Sequence, residues 1–173
     1  MRLYLIGFMG SGKTHTGKQL AERLVHPFID LDLLIEAEAG TDISTIFEEH
    51  GEEHFRQLEQ KALHFTGELI DVVVSTGGGT PCFFDNMEYM NSTGITFYID
   101  TDIHFLMTRL STKGISKRPL LKKIGEENLE DGLKEKLKER LPYYSQAQVI
   151  LSYHQSLEND IVSYVQSRIK TQN

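Results

Sequence analysis

The sequence predicts an α/β layered fold with a mainly parallel sheet. Short apolar, β-rich runs recur at 3–6, 28–30, 72–75, 96–99 and 149–151, and amphipathic helix-like segments separate each run from the next. A glycine-rich stretch, GFMGSGKT at 7–14, follows the first run directly and leads into a helical pattern.

In chain order, Leu3-Tyr4-Leu5-Ile6 opens the sheet and the amphipathic run 13–24 returns the chain past it. Phe28-Ile29-Asp30 is the second strand, followed by helical segments at 33–39, 43–49 and 51–68, the last with Phe55, Leu58 and Ala62 on one apolar stripe. Val72-Val73-Val74-Ser75 reads as a buried strand, 84–91 as a helix, 96–99 as the fourth strand and 103–110 as a helix. A long charged helix at 127–146, a strand at 149–151 and a helix at 156–169 complete the chain.

One connection is long. STKGISKRPLLKKIGE, 111–126, gathers Lys113, Lys117, Arg118, Lys122 and Lys123 in an otherwise acidic protein. Longer loops in compact domains tend to be lids or disordered segments.

A chain of 173 residues with 39% hydrophobic residues suits one domain over 1–173 that can exclude water from a site. With 18 Lys+Arg against 25 Asp+Glu, the net charge of −7 offers no broad basic footprint, so no nucleic-acid partner is expected. A bound anion must be met by a few local cations. The single cysteine, Cys82, allows no intrachain disulfide and reads as a packing residue. No apolar run approaches the roughly 20 residues of a membrane span, and no N-terminal segment resembles a signal peptide, so a cytoplasmic protein is expected, and its length suggests a monomer.

Residues 7–14 fit G-x-x-x-x-G-K-T between a strand and a helix, the context a phosphate-binding P-loop requires. Gly7, Gly10 and Gly12 let backbone N–H groups turn inward on phosphate oxygens, and the following helix adds its positive end. Lys13 is placed to reach the β- and γ-phosphates, and the Thr14 hydroxyl to ligate Mg²⁺. A Walker B aspartate is missing from 72–76, which ends in Ser75-Thr76. The metal carboxylate must come from elsewhere, and Asp30 and Asp32 at the end of the second strand are the well-placed acids.

In an extended D-x-D both carboxylates face the same way. Asp30 is assigned to the metal, through water, and Asp32 to an acceptor hydroxyl as hydrogen-bond acceptor or general base. Alternatively, Asp32 caps a helix starting at Leu33. Arg56 reads either as a solvated helix cation paired with Glu52, Glu53 or Glu59, or as an anion clamp. The triple glycine 77–79 is either a plain turn or a place where a second molecule approaches the backbone. Arg118, before Pro119, and Arg140, before Pro142, are suited to bidentate contact with carboxylate or phosphate.

Taken in order, GFMGSGKT at 7–14, DLD at 30–32, FRQLE at 55–59, STGGGT at 75–80, KRPLL at 117–121 and ERLPYY at 139–144 resemble the shikimate kinases. The resemblance covers nearly the whole chain. It implies a three-layer α/β/α P-loop kinase fold with a central five-stranded parallel sheet and a mobile lid at about 111–126. It also implies transfer of the γ-phosphoryl group of ATP, with Mg²⁺, to the 3-hydroxyl of shikimate. On that resemblance Gly10, Ser11, Gly12, Lys13, Thr14, Thr16, Arg109 and Arg118 would meet ATP, with Arg109 near the adenine. Asp32, Arg56, Gly78, Gly79 and Arg140 would meet shikimate, the two arginines at its carboxylate, while Lys13, Asp32 and Arg118 would serve the transfer itself. The runner-up is another small-molecule P-loop kinase, for gluconate or a nucleotide. A nucleotide-binding regulatory module that uses ATP only to change conformation is the alternative from outside enzymes.

Overall fold

Side chains along β1 (Arg2–Ile6) alternate between two separate cores: Tyr4 and Ile6 enter one, Leu3 and Leu5 the other. A strand that buries both faces belongs in the middle of a sheet covered on both sides, and an unbroken apolar run such as LYLI encodes that position. The computed structural model describes residues 1–112, 124 and 129–172.

The remaining strands are β2 (Phe28–Asp30), β3 (Val72–Ser75), β4 (Ile95–Asp100) and β5 (Val149–Ser152). They form one parallel sheet in the order β2-β3-β1-β4-β5. On β3, Val72 and Val74 join the Tyr4 core while Val73 joins the Leu3 core; on β4, Tyr98 and Phe97 divide in the same way. The period of two thus assigns each side chain to a layer.

Helices α1 (Lys13–Leu24) and α7 (Leu157–Gln172) cover the Leu3 face with Leu20, Ala21, Leu157, Ile161 and Val165. The opposite face is covered by α2 (Leu31–Ala39), α3 (Ile43–Thr66), α4 (Asn86–Thr93), α5 (Ile103–Thr112) and α6 (Leu129–Tyr144). The result is the three-layer α/β/α arrangement with a five-stranded parallel sheet that the motifs implied.

Several boundaries differ from expectation for identifiable reasons. The segments 43–49 and 51–68 are one helix, α3, kinked at Gly51, whose φ of 80° and ψ of 174° interrupt the helical path. Helix α4 starts at Asn86 rather than 84, because the chain passes through a 3₁₀ turn (Thr80–Cys82) and a left-handed Phe84 first. Helix α2 starts at Leu31 rather than 33, since the strand before it ends at Asp30 and that residue is the cap. The expected lid, 111–126, lies outside the described residues except for Ser111 and Thr112 at the end of α5 and for Ile124. Among the described residues no helix is long and apolar enough to cross a membrane.

Candidate active site

The carboxyl edge of the sheet opens into one cleft of about 1840 Å³, lined by the loop after β1, the end of β2, the triple glycine after β3, and parts of α3, α5 and α6. Open α/β sheets place ligands at this edge.

On one side lies the P-loop. Gly12, at φ 98°, turns the chain into α1, and a side chain there would sit 2.9 Å from the Tyr153 ring and 3.1 Å from Arg109 Nη1. Lys13 is 7% exposed and its Nζ donates to the carbonyl oxygens of Gly7 at 2.8 Å and Phe8 at 3.0 Å. A buried ammonium needs such acceptors. Gly10, Gly12, Lys13 and Thr14 line the cleft. Ser11 and Thr16 are buried and do not line it; the Thr16 amide donates to the Gly12 carbonyl at 2.9 Å.

The Thr14 hydroxyl donates to Asp30 Oδ2 at 2.7 Å and lies 3.4 Å from Ser75 Oγ. Register explains the meeting, because Asp30 pairs with Ser75 across β2 and β3. These hard oxygen donors at the foot of the P-loop suit Mg²⁺ with several waters retained, and poorly suit a soft or nitrogen-seeking metal.

The extended D-x-D geometry is corrected by the structure. Asp30 ends β2, and its Oδ1 accepts the Asp32 amide at 3.1 Å as the N-cap of α2, while Asp32 stands in the first helical turn. The cap is therefore Asp30, not Asp32, and Asp32 is left to face the cleft. Its carboxyl is pushed up to about 6, by burial first, then by the charges of Asp30 and Glu59, with Lys13 pulling it down.

Across the cleft, Arg56 is only 8% exposed, so the solvated-cation reading fails even though it pairs with two of the expected acids. Nη1 donates to Glu59 Oε2 at 2.6 Å and Nη2 to Glu52 Oε1 at 3.2 Å, while the guanidinium lies over the Phe83 ring at 4.1 Å. Glu59 also accepts the Thr80 hydroxyl at 2.5 Å. Arg140, 7% exposed near the end of α6, donates through Nη1 to the Gly78 carbonyl at 3.1 Å. That carbonyl also accepts the Tyr144 hydroxyl at 2.5 Å, one helical turn further on.

The triple glycine is explained by close approach of the chain's own groups: charged side chains come closest at Gly77 and Gly79, and the Met9 backbone nitrogen, at 3.1 Å, at Gly78. A Cβ at Gly77 would meet Glu59 Oε1 at 2.5 Å and Asp32 Oδ1 at 2.9 Å; at Gly78, Arg140 Nη1 at 3.3 Å; at Gly79, Arg56 Nη1 at 2.6 Å. Three hydrogens in place of side chains let four charged groups converge on one loop.

Arg109 connects the P-loop to the last strand. It donates to the Gly10 carbonyl at 3.2 Å and to the Tyr153 hydroxyl at 2.7 Å, and lies over the rings of Phe105 and Tyr153 at 4.4 and 4.8 Å. His154 turns away to Asp160, 2.8 Å distant. Cys82 packs against the Tyr4 core, and burial pushes its thiol up to about 11, so it stays protonated and unreactive near neutrality.

The structure thus brings Lys13, Thr14, Asp30, Asp32, Arg56, Gly78, Gly79, Arg109 and Arg140 to one cleft. Arg118 lies outside the described residues. Sequence reasoning missed the parts played by Thr80, Tyr144 and Tyr153, and offered Glu59 only as one of three partners for a solvated Arg56. A glutamate three residues after a buried arginine on a helix was the available signal for Glu59.

Comparison with known proteins agrees with this geometry. The family model described as "Shikimate kinase" matches residues 9–170. A shikimate kinase of Bacteroides fragilis is 47% identical over 150 residues, covering 87% of this chain and 83% of that protein. The crystal structure of shikimate kinase from Bacteroides thetaiotaomicron superposes with a TM-score of 0.85 at 39% identity, covering 98% of both chains. Shikimate kinase from Acinetobacter baumannii, solved in complex with shikimate, gives a TM-score of 0.86 at 33% identity, covering 99% of this chain and 94% of that one.

Proposed function

Since this chain belongs to the shikimate kinase family, we propose that it transfers the γ-phosphoryl group of ATP to the 3-hydroxyl of shikimate, giving shikimate 3-phosphate on the route to chorismate and the aromatic amino acids. The observation that carries the reading is the opposition, across one cleft, of a P-loop lysine to two buried arginines that converge on the same glycine loop.

Phosphoryl transfer asks a protein for in-line placement and for cancellation of negative charge more than for covalent chemistry. Gly10, Gly12 and the start of α1 hold the phosphates, and Lys13 exchanges its loop carbonyls for the β- and γ-oxygens. Thr14 and Asp30 would hold Mg²⁺, which would supply further charge cancellation. Arg109 takes the nucleotide's outer side. Arg118 is assigned to the phosphates on the family resemblance alone.

Arg56 and Arg140 hold the acceptor's carboxylate, and Gly78 and Gly79 meet its ring. Asp32 accepts a hydrogen bond from the acceptor hydroxyl. As the new O–P bond forms and the bond from Pγ to the ADP oxygen breaks, the hydroxyl proton passes to Asp32, whose raised affinity for protons suits it as acceptor. The segment at about 111–126 serves as the lid that keeps water, a competing phosphoryl acceptor, out of the site. In this reading residues 1–173 form one domain that acts as a cytoplasmic monomer on two small molecules, without nucleic acid or membrane.

Phosphorus NMR of a reaction containing ATP, Mg²⁺ and shikimate tests the assignment. A single phosphomonoester coupled to the proton on ring carbon 3 supports it. Release of inorganic phosphate alone, or ester formation at another hydroxyl, contradicts it.

A further inference from the structure

Arg56 has two carboxylate partners of unlike standing. Glu59 is 1% exposed, lies at 2.6 Å, and is fixed a second time by the Thr80 hydroxyl. Glu52 has half its side chain in solvent, lies at 3.2 Å, lines the cleft, and follows immediately on Gly51, where the helix is kinked. The first is a built-in counterion; the second can leave.

The charges decide what must happen when an anionic acceptor arrives. Arg56, Glu59 and Glu52 together carry a net charge of −1, with the Asp32 carboxyl facing the same glycine loop as Glu59. A third carboxylate on the same guanidinium would raise the local excess to −2, at separations where like charges in a partly buried site repel strongly. The guanidinium edge that faces Glu52 is the one a ligand carboxylate can take without disturbing Glu59.

We infer that Glu52 is an internal competitor for the acceptor's carboxylate: it occupies the outward edge of Arg56 until the acid displaces it. The inference rests on the reading of Arg56 as part of the carboxylate clamp. Glu52 thereby weakens the acid's binding and keeps a buried guanidinium paired in the free protein. Acceptors without a carboxylate lose this exchange, because they expel nothing and gain no ion pair.

The test compares wild type with Glu52→Gln by calorimetric binding of shikimate, by KM for shikimate and for ATP, and by KM for the carboxamide analogue of shikimate. Glu52→Gln is expected to bind shikimate about two- to fivefold more tightly, the range of an exposed ion pair. KM for shikimate should fall correspondingly, with KM for ATP and for the carboxamide unchanged. Equal or weaker shikimate binding by the variant, or an equal gain for the carboxamide, overturns the inference. Circular dichroism melting of both proteins separates these outcomes from a folding defect, and Glu52→Ala must repeat the gain. Absence of shikimate binding by the wild type would instead contradict the assigned substrate.

Discussion

Glu59 Oε2 stands 2.6 Å from Arg56 Nη1, and both side chains are almost wholly removed from water. An ion pair buried this deeply holds Arg56 in one place at the cost of making each partner dependent on the other. Glu59→Ala is therefore expected to destabilise the protein by about 3–5 kcal/mol, the usual consequence of leaving a buried charge without its partner. Chemical denaturation measures this directly. A loss within about 0.5 kcal/mol, as for an exposed residue, would contradict the pair's structural role.

Asp32 gives the site a pH dependence. Its carboxyl, pushed up to about 6 from 3.8, binds a proton more tightly in the folded protein than in the unfolded chain. Its contribution to stability is then fully present below about pH 4 and is lost as pH rises through about 6. Asp32→Asn should raise Tm at about pH 7.5 and leave it unchanged near pH 4. The wild-type kcat/KM for shikimate should climb with pH through an apparent value near 6. A Tm difference independent of pH, or an activity profile flat across that range, would count against it.

Gly79 faces the Arg56 guanidinium so closely that a methyl group would lie 2.6 Å from Nη1. Gly79→Ala must displace the arginine, and if Arg56 is part of the proposed carboxylate clamp, KM for shikimate is expected to rise by roughly tenfold or more. The KM for ATP should stay where it is, because the P-loop is untouched. Steady-state kinetics with each substrate varied in turn provides the check.

Tyr144 and Arg140 share one acceptor, the Gly78 carbonyl. Tyr144→Phe leaves that carbonyl to Arg140 alone and ties the guanidinium to the loop. KM for shikimate is expected to rise about two- to fivefold, with kcat nearly constant and a stability loss of about 1 kcal/mol from the missing hydrogen bond. Unchanged KM would show that Arg140 is positioned without help.

The parts of this site that could be read from the sequence are those whose chemistry depends on adjacent residues. GFMGSGKT carries its own geometry, because spacing, preceding strand and following helix are contiguous. The apolar runs at 3–6 and 72–75 read as strands, the second as a buried one, for the same reason, and the structure buries both faces of each. What was illegible depends on convergence. Glu59, Thr80, Asp32 and Gly77 meet only because α3, the loop after β3 and the start of α2 pack together. The exchange of capping roles between Asp30 and Asp32 also has a tertiary cause: β2 is held in register with Ser75 at Asp30, so the helix begins one residue later, at Leu31. A D-x-D pattern cannot show where the strand stops.

In the proposed reading, the phosphate side turns on Lys13. Lys13→Ala removes the one P-loop ammonium, and kcat should fall by about 10³-fold or more while the fold persists. Residual turnover above a tenth of wild type would place the charge elsewhere.

The central claim is that one cleft holds ATP on the P-loop side and a hydroxylated carboxylate on the arginine side. Coupled ADP release with Mg²⁺ and ATP, offering shikimate, gluconate and a nucleoside monophosphate separately, measures it most directly. The account predicts turnover with shikimate alone. Turnover with gluconate or with the nucleotide, and none with shikimate, would leave the P-loop standing and contradict the roles given to Asp32, Arg56 and Arg140.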